Sequence, residues 1–144
     1  MTNEQFWKKL DNITNKKQSM DNTRKFLKVL VEGYYQDLEI LVNGIIRPND
    51  RGAFNQACIY NEKGKKAMLY YTDFRHSENQ KVNIPPFASA KLECIRASCR
   101  EVINNSMEKD EVDVIIFNHG TKNMYIIPKL LLGIMMMNIG DLPK

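Results

Sequence analysis

The chain has 144 residues, of which 43% are hydrophobic and 26% are charged. This length and balance are typical of one globular domain, so we expect residues 1–144 to form a single domain that needs no metal or disulfide, with residues 1–20 as an N-terminal helical extension. The longest apolar run, residues 130–137, is too short to cross a bilayer, and residues 1–17 lack the apolar stretch of a signal peptide. The three cysteines have no metal-site spacing, and we expect a cytoplasmic protein with reduced thiols and no membrane contact.

All of the net charge of +4 comes from residues 1–30, which hold seven basic and three acidic side chains. A nucleic-acid surface would therefore have to lie in this segment, on Lys8, Lys9, Lys16, Lys17, Arg24, Lys25 and Lys28. The other interpretation is a solvated, lysine-rich helix face. We favour that interpretation, and nucleic acid is not an expected partner.

The first half of the chain predicts two helices, a strand and a hairpin. Residues 3–12 favour a short helix, and a second helix is expected to start at a cap on Asp21 or Asn22 and to end at Gly33. Residues 39–47 are typical of a strand, and residues 48–52 of a turn. Residues 53–60 and 65–72 flank a short turn ending in Gly64, which predicts a hairpin.

The second half begins with a polar loop at residues 73–87, where two prolines argue against a central strand. A strand at 91–96 and a helix at about 99–108 follow, with Ser98 and Glu101 as a capping box. Residues 112–117 and 123–127 predict two adjacent strands, and Pro128 suits the first turn of a closing apolar helix. The fold class is therefore predicted as α+β, with a mainly antiparallel sheet of about five to six strands, N-terminal helices, one middle helix and a C-terminal helix.

This order of elements, together with two short motifs, resembles the N-terminal domain of the enhanced serine sensitivity (SseB) family. Family members have a strand ending in a phenylalanine-threonine corner, where this chain has Tyr71-Thr72. They later have a glycine-isoleucine-valine-isoleucine-asparagine-proline strand, where this chain has "VIIFN" at 114–118, with Asp113 in place of the glycine and His119 in place of the proline. The match covers residues 22–138. It implies a small cytosolic binding or accessory domain with no catalytic residues to carry over and, because some members lie near bacterial toxin loci, an immunity role.

Motifs for common chemistries are absent from the sequence. It has no glycine-rich phosphate loop, no H-E-x-x-H zinc motif and no G-x-S-x-G nucleophile motif. We expect no cofactor, no metal and no enzymatic activity. The alternative is a cysteine-dependent enzyme or a sulfur-metabolism accessory, in which Cys94 or Cys99 would need His76 or His119 as a nearby base.

Reactive side chains are densest in "YYTDFRHSEN", residues 70–79. Loops on a rigid scaffold often carry recognition, and tyrosine and arginine are enriched at interface hot spots. The segment therefore predicts a partner-binding surface made of Tyr70, Tyr71, Asp73, Arg75, His76 and Glu78. The alternative is a solvated connection in which Asp73 or Ser77 caps a turn and one tyrosine belongs to the core.

Two further features favour contact with a partner. Three consecutive methionines, Met135 to Met137, cannot all face the core of a helix that rotates about 100° per residue, so at least one should lie outside it. Met136 and Met137 are thus predicted contacts with a foreign partner or with a second copy of the chain, unless the N-terminal helices cover them. His119 is expected to be exposed at a hairpin tip, beside Asn118, which bonds its own turn, and Gly120, and to touch a partner rather than do chemistry.

The sequence as a whole predicts a small, cytoplasmic, non-catalytic protein-binding domain. In its most specific form this is an immunity protein that neutralises a cognate bacterial toxin by direct binding. The cysteine-dependent enzyme or sulfur-metabolism accessory is the second hypothesis, and a homodimer is a candidate assembly of the binding domain. Nucleic-acid binding through the basic N-terminal segment ranks third.

Overall fold

We describe residues 1–46, 54–77 and 92–137 in a computed structural model of the chain. The elements, in chain order, are α1 (Asn3–Thr14), α2 (Met20–Tyr35), β1 (Glu39–Ile46), β2 (Phe54–Gln56), β3 (Cys58–Tyr60), β4 (Lys66–Tyr70), α3 (Phe74–Ser77), β5 (Leu92–Ser98), α4 (Cys99–Glu108), β6 (Val112–Phe117), β7 (Tyr125–Pro128) and α5 (Lys129–Met137). The predicted turn at 48–52 and most of the predicted loop at 73–87 lie outside the described residues.

The strands form two sheets, with the orders β2-β1-β5 and β3-β4-β6-β7. Neighbouring strands are antiparallel except β4 and β6, which are parallel. The predicted α+β class with mainly antiparallel pairing is confirmed, as are the N-terminal, middle and C-terminal helices. The division into two sheets was not predicted.

Ala57 marks the place where the chain passes from one sheet to the other. Its backbone N–H donates to the carbonyl of Asn43 in β1, at 2.7 Å, and its own carbonyl accepts the N–H of Leu69 in β4, at 3.4 Å. A bridge between Leu41 of β1 and Tyr71, the residue directly after β4, joins the two sheets at a second place. The predicted hairpin is therefore confirmed for β3 and β4, while β2 pairs with β1 instead.

One hydrophobic cluster joins the helices to both sheets, with Phe6, Phe26, Ile40, Phe117 and Leu132 among its fully buried members. Val102 and Ile103 of α4 face it as predicted. The aromatic rings of Phe26 and Phe117 meet edge to face, with centroids 4.7 Å apart. This contact packs α2 onto β6, so the N-terminal helices belong to the core rather than lying outside it.

Gly33 corrects one predicted boundary. It was expected to end the second helix, but α2 continues to Tyr35, and Gly33 is buried inside it. A Cβ atom at this position would lie 2.3 Å from Cζ of Phe6 in α1. The glycine is therefore required by the close approach of two helices and not by a turn.

Helix starts were predicted with mixed success. Ser19, not Asp21 or Asn22, caps α2, and its hydroxyl accepts the N–H of Asn22 at 3.1 Å. The predicted cap of α4 is confirmed for Ser98, whose hydroxyl accepts the N–H of Glu101 at 3.2 Å. Pro128 is the last residue of β7 and directly precedes α5, one position before its predicted place in the helix.

Candidate functional site

Tyr70 and Tyr71 were predicted to contact a partner, and their positions contradict this. Both are fully buried. The Tyr70 hydroxyl lies 2.6 Å from that of Ser106 and donates to the carbonyl of Val102, while the Tyr71 hydroxyl accepts the amide of Asn43 at 3.1 Å. Burial raises the pKa of both phenols well above the ordinary value. The two side chains fill the core, whereas the alternative interpretation placed one tyrosine there.

His76 and Asp73 follow these tyrosines, and both are engaged in hydrogen bonds. His76 Nε2 lies 2.9 Å from Oδ1 of Asp11, and this carboxylate also accepts the Thr72 hydroxyl at 2.9 Å. Asp73 accepts the backbone N–H of Arg75 at 2.8 Å and its guanidinium at 3.0 and 3.1 Å. Hydrogen bonding from Arg75 lowers the pKa of the Asp73 carboxyl. The segment is thus tied to α1 and to itself, with Asp73 in the turn-capping role of the alternative interpretation.

A cavity of about 340 Å³ remains between α1 and this segment, lined in part by Trp7, Phe74 and Arg75. The rings of Trp7 and Phe74 meet edge to face with centroids 6.0 Å apart, and the guanidinium of Arg96 lies 4.9 Å from the Trp7 centroid. Glu78, the last predicted member of this surface, lies outside the described residues. Asp73 and Arg75 therefore line this cavity and His76 adjoins it, and all three side chains already have hydrogen-bond partners.

Asn118 bonds its own turn as predicted, since its backbone carbonyl accepts the N–H of Thr121 at 3.2 Å, and it is also the centre of a buried hydrogen-bond network. Its Oδ1 accepts the backbone N–H of Thr72 at 3.0 Å, and its Nδ2 donates to the Thr72 hydroxyl at 3.0 Å and to the carbonyl of Asn123 at 3.3 Å. It has a φ of 58°, in the left-handed region, and Gly120 has the predicted positive φ, at 79°. The network joins the ends of β4 and β6.

His119 is half-buried, which corrects the expectation of an exposed tip. The turn that holds it folds back onto the end of α1, where the Asn123 amide donates to the carbonyl of Thr14 at 3.3 Å and to the side chain of Asn15. This packing covers part of the turn. The predicted partner contact by His119 stays a prediction.

An apolar groove lies where the start of α2, the strand β7 and the helix α5 meet. It has a volume of about 390 Å³ and is lined mainly by aliphatic and methionine side chains. The lining residues are Gln18, Ser19, Met20, Thr23, Arg24, Leu27, Ile126, Pro128, Leu131 and Met135. Large apolar side chains are exposed on and around it, with Met20 at 85%, Leu130 at 76% and Ile126 at 43% of their full accessibility.

The methionine run reaches this groove through Met135, which is one of its lining residues. Met135 and Met136 are half-buried, and Met137 is 85% exposed, so the expectation that at least one methionine lies outside the core is confirmed. The alternative, in which the N-terminal helices cover this side, fails for Met137. Helix α2 does contact α5, yet it leaves the groove open between them.

The sequence did not single out the rest of the groove, because Tyr125, Ile126 and Ile127 are all apolar by type. Only the alternation along β7 separates them, with Tyr125 and Ile127 buried and Ile126 exposed. An alternation of this kind is the expected pattern of a strand with one covered face. Met20 also could have pointed to the groove, because it is an apolar residue directly after the α2 cap, where a side chain faces solvent.

One basic side chain lines the groove, and two more follow or precede its lining residues in the sequence. Arg24 lines it, and Lys17 and Lys28 are exposed beside its lining residues in the sequence. The nearby Asp21 is paired with Lys25, at 3.6 Å. An occupant that carries carboxylates next to apolar side chains would complement this surface.

The cysteines give limited support to a catalytic role. Cys99 is fully buried at the start of α4, and burial raises the pKa of its thiol to about 12, so it is protonated at neutral pH and poorly nucleophilic. Cys58 and Cys94 are half-buried. In the described ranges, no group of three or more His, Cys, Asp or Glu side chains is placed to hold a metal ion. None of the described helices has the length and apolar character needed to cross a bilayer.

No protein-family model, curated protein or solved structure matches the chain.

Proposed function

We propose that the chain is a small, cytoplasmic, non-catalytic protein-binding domain that docks its partner in the groove between α2, β7 and α5. The observation that carries this proposal is an apolar groove of about 390 Å³ with exposed Met20 and Leu131 on its walls. Contiguous exposed apolar surface of this kind marks interaction sites in soluble proteins. Methionine side chains adapt their shape to a partner, and Met135 lines the groove.

The partner that fits is a protein segment with two or more large apolar side chains next to carboxylates. Its apolar side chains would fill the groove, and its carboxylates would face Arg24 and Lys28, which are one helical turn apart on α2. Arg24 offers a bidentate guanidinium for this purpose. The polar surface at Asp73, Arg75 and His76 fits the role less well, because these side chains already pair with each other and with Asp11.

The most specific form of the proposal is an immunity protein that neutralises a bacterial toxin by occupying its surface. The resemblance of residues 22–138 to the SseB family supports it. The Tyr71-Thr72 corner and Asn118, which carry the resemblance, are also the residues that join the ends of β4 and β6 through the Thr72–Asn118 hydrogen bonds. On this proposal the motif is architectural, and binding belongs to the groove.

A photo-crosslinking residue at Leu131 tests the groove in the native host, and the same residue at Lys63 is the matched control. Lys63 is exposed in the turn between β3 and β4, outside the groove lining. We expect one protein to be crosslinked from Leu131 and not from Lys63. The recovered protein is then purified, and its affinity for the chain is measured by calorimetry.

Substitutions separate groove binding from general adhesion. Leu131→Glu and Arg24→Glu should each weaken binding by about tenfold or more, because one removes an apolar anchor and the other reverses a charge. Lys63→Glu should leave the affinity unchanged. Binding that is insensitive to both groove variants would contradict the proposal. Rescue of growth by the wild-type chain, but not by Leu131→Glu, in cells that express the recovered protein would identify it as a toxin.

The cysteine alternative has its own test. Exchange of Cys94 and Cys99 for serine in one variant should leave the biological activity unchanged if the chain only binds. Loss of activity in a variant that retains its fold would favour a cysteine-dependent enzyme.

Nucleic-acid binding predicts retention on heparin that falls steeply with salt. The seven basic residues of the N-terminal segment are exposed, and Lys25 is paired with Asp21. We expect weak retention that is unaffected by Leu131→Glu. Strong retention that is lost on Lys16→Glu and Lys17→Glu substitution would favour nucleic acid over a protein partner.

A further inference from the structure

In the described part of the chain, β7 ends the strand order of the four-stranded sheet. It pairs antiparallel with β6, with Ile127 opposite Ile115 and Ile126 opposite Ile116. In such a pair, successive residues point their backbone groups alternately toward the neighbouring strand and away from it. An edge of this kind presents backbone donors and acceptors to which a further strand can be added.

The side chain of Gln18 occupies the outward backbone groups of Ile126. Its Nε2 donates to the carbonyl of Ile126 at 2.8 Å, and its Oε1 accepts the N–H of the same residue at 3.0 Å. A carboxamide that exchanges two hydrogen bonds with one residue reproduces the contact that the peptide groups of an adjacent strand would make. It does so from 108 residues away in the sequence.

Gln18 is held in this position by a further hydrogen bond of its own side chain and by contacts of the segment in which it lies. Its Nε2 also lies 3.2 Å from the hydroxyl of Thr23, which is 7% exposed. The Tyr125 hydroxyl donates to the carbonyls of Ile13 and Lys16, at 3.0 and 2.9 Å, and so holds the connection between α1 and α2 against β7. The amide is therefore preorganised, and little further order is lost when it bonds the strand.

We propose that Gln18 is a clamp that closes the edge of β7 against strand addition by a second copy of this chain. A second copy is the natural occupant because the edge is self-complementary. When two β7 strands meet antiparallel about a two-fold axis, Ile126 of each copy can give and receive the same two bonds that Gln18 now makes. The exposed Ile126 side chains would lie side by side at that axis.

Pro128 limits this pairing without preventing it. It lies two residues beyond Ile126 and has no N–H, so one donor is missing from the outward row of β7. Pairing at this edge is therefore opposed by Gln18 at Ile126 and by the missing N–H at Pro128. Gln18 and Ile126 also line the groove, but the test of the clamp measures only the association of identical chains and so does not depend on the proposed groove partner.

The test uses the full chain with Gln18→Ala. Without the clamp, the Ile126 amide should exchange its hydrogen about tenfold faster at low protein concentration. At high concentration that amide should regain protection, and sedimentation should show a dimer that the wild-type chain does not form through this edge. Thr23→Val is the matched control, since it removes one contact of Gln18 but keeps both bonds to Ile126; it should raise the exchange rate at Ile126 much less than Gln18→Ala does, and it should not self-associate.

Two further variants complete the test. Gln18→Ala with Ile126→Lys should not self-associate, because a lysine on the edge opposes pairing. If the alanine variant does not fold, Gln18→Glu takes its place. The carboxylate has no N–H to give to the Ile126 carbonyl and repels it, so the side chain should leave the strand and exchange at Ile126 should again become faster. An unchanged mass of Gln18→Ala across the concentration range would overturn the proposal, as would self-association that Ile126→Lys does not suppress.

Discussion

Asn118 accepts the backbone N–H of Thr72 through its side-chain oxygen, at 3.0 Å, across 46 residues of sequence. The backbone N–H of Asn118 in turn donates to the carbonyl of Tyr70, at 2.9 Å. The two bonds continue the parallel pairing of β4 and β6 beyond the last paired residues, Tyr70 and Phe117. Asn118 therefore extends the sheet with its side chain at the point where its own backbone turns away.

Substitution of Asn118 should lower the free energy of unfolding strongly. Asn118→Ala leaves the buried N–H of Thr72 unpaired and forces alanine into the left-handed region, which together should cost about 3 kcal/mol. Asn118→Gly loses the same hydrogen bonds without the backbone strain and should cost about 2 kcal/mol. Urea unfolding measures both values. If the two variants stay within about 0.5 kcal/mol of the wild type, the network does not have this role.

Gly33 and Gly133 should respond in opposite directions to alanine, although both lie within helices. At Gly33 the new Cβ would meet the Phe6 ring at 2.3 Å, so α1 would have to move, and we expect a loss of about 2 kcal/mol or more. At Gly133 the new Cβ would lie 3.3 Å from Cε of Met107, the flexible end of a side chain. There the higher helix propensity of alanine should stabilise the chain by up to about 1 kcal/mol.

Thermal unfolding of the two alanine variants tests this contrast. A combination of Gly33→Ala with Phe6→Leu should recover part of the loss, since the smaller side chain makes room for the Cβ. Equal effects of the two glycine substitutions would contradict the packing argument.

The elements that could be predicted are those whose signal is local. The strand at 112–117 is marked by its own β-branched run, and the helix at 99–108 by the Ser98 cap that directly precedes it. The predicted bounds of both elements agree with the structure. Gly33 was misjudged because a glycine near a helix end commonly stops it. Its true constraint is Phe6, which is 27 positions earlier and invisible to a local pattern.

The sites were harder to predict because they depend on distant partners. Tyr70 and Tyr71 carry polar groups in a polar segment, yet Ser106 and Asn43 satisfy their hydroxyls inside the core. The polar character of these two residues therefore did not indicate whether their side chains are exposed. Gln18 raised no expectation at all, since its role depends on the outward face of β7, and that face exists only after the sheet has formed.

Asp11 should contribute more to stability than an exposed ion pair of the same helices. It accepts hydrogen bonds from Thr72 and His76 at a largely covered position, and Asp11→Ala should cost about 1 to 2 kcal/mol. The matched control is Lys25→Ala, which removes a solvent-exposed pair with Asp21 and should change stability by less than about 0.5 kcal/mol. The denaturant midpoints of Asp11→Ala and Lys25→Ala, measured at one pH, compare the two losses of stability. If Lys25→Ala lost as much stability as Asp11→Ala, the result would count against a special role of the Asp11 network.

The chain should lose stability in alkaline solution, and Cys99 should be the first cause. Burial raises the pKa of its thiol to about 12, whereas in the unfolded chain it titrates near its ordinary value of 9.0. Between these two values the unfolded state has released its proton and the folded state has kept it. The stabilisation is thus complete below about pH 9 and is lost as the pH rises toward 12, by up to about 1.4 kcal/mol per pH unit.

The buried phenols of Tyr70 and Tyr71 act in the same direction, but only above their ordinary value of 10.0. Between about pH 9 and pH 10, therefore, Cys99→Ala should flatten the decline in the free energy of unfolding, while above pH 10 the decline should persist. Urea titrations of the wild type and of Cys99→Ala at half-unit pH steps measure this difference. Parallel curves for the two proteins between pH 9 and pH 10 would show that the Cys99 thiol is not the group responsible.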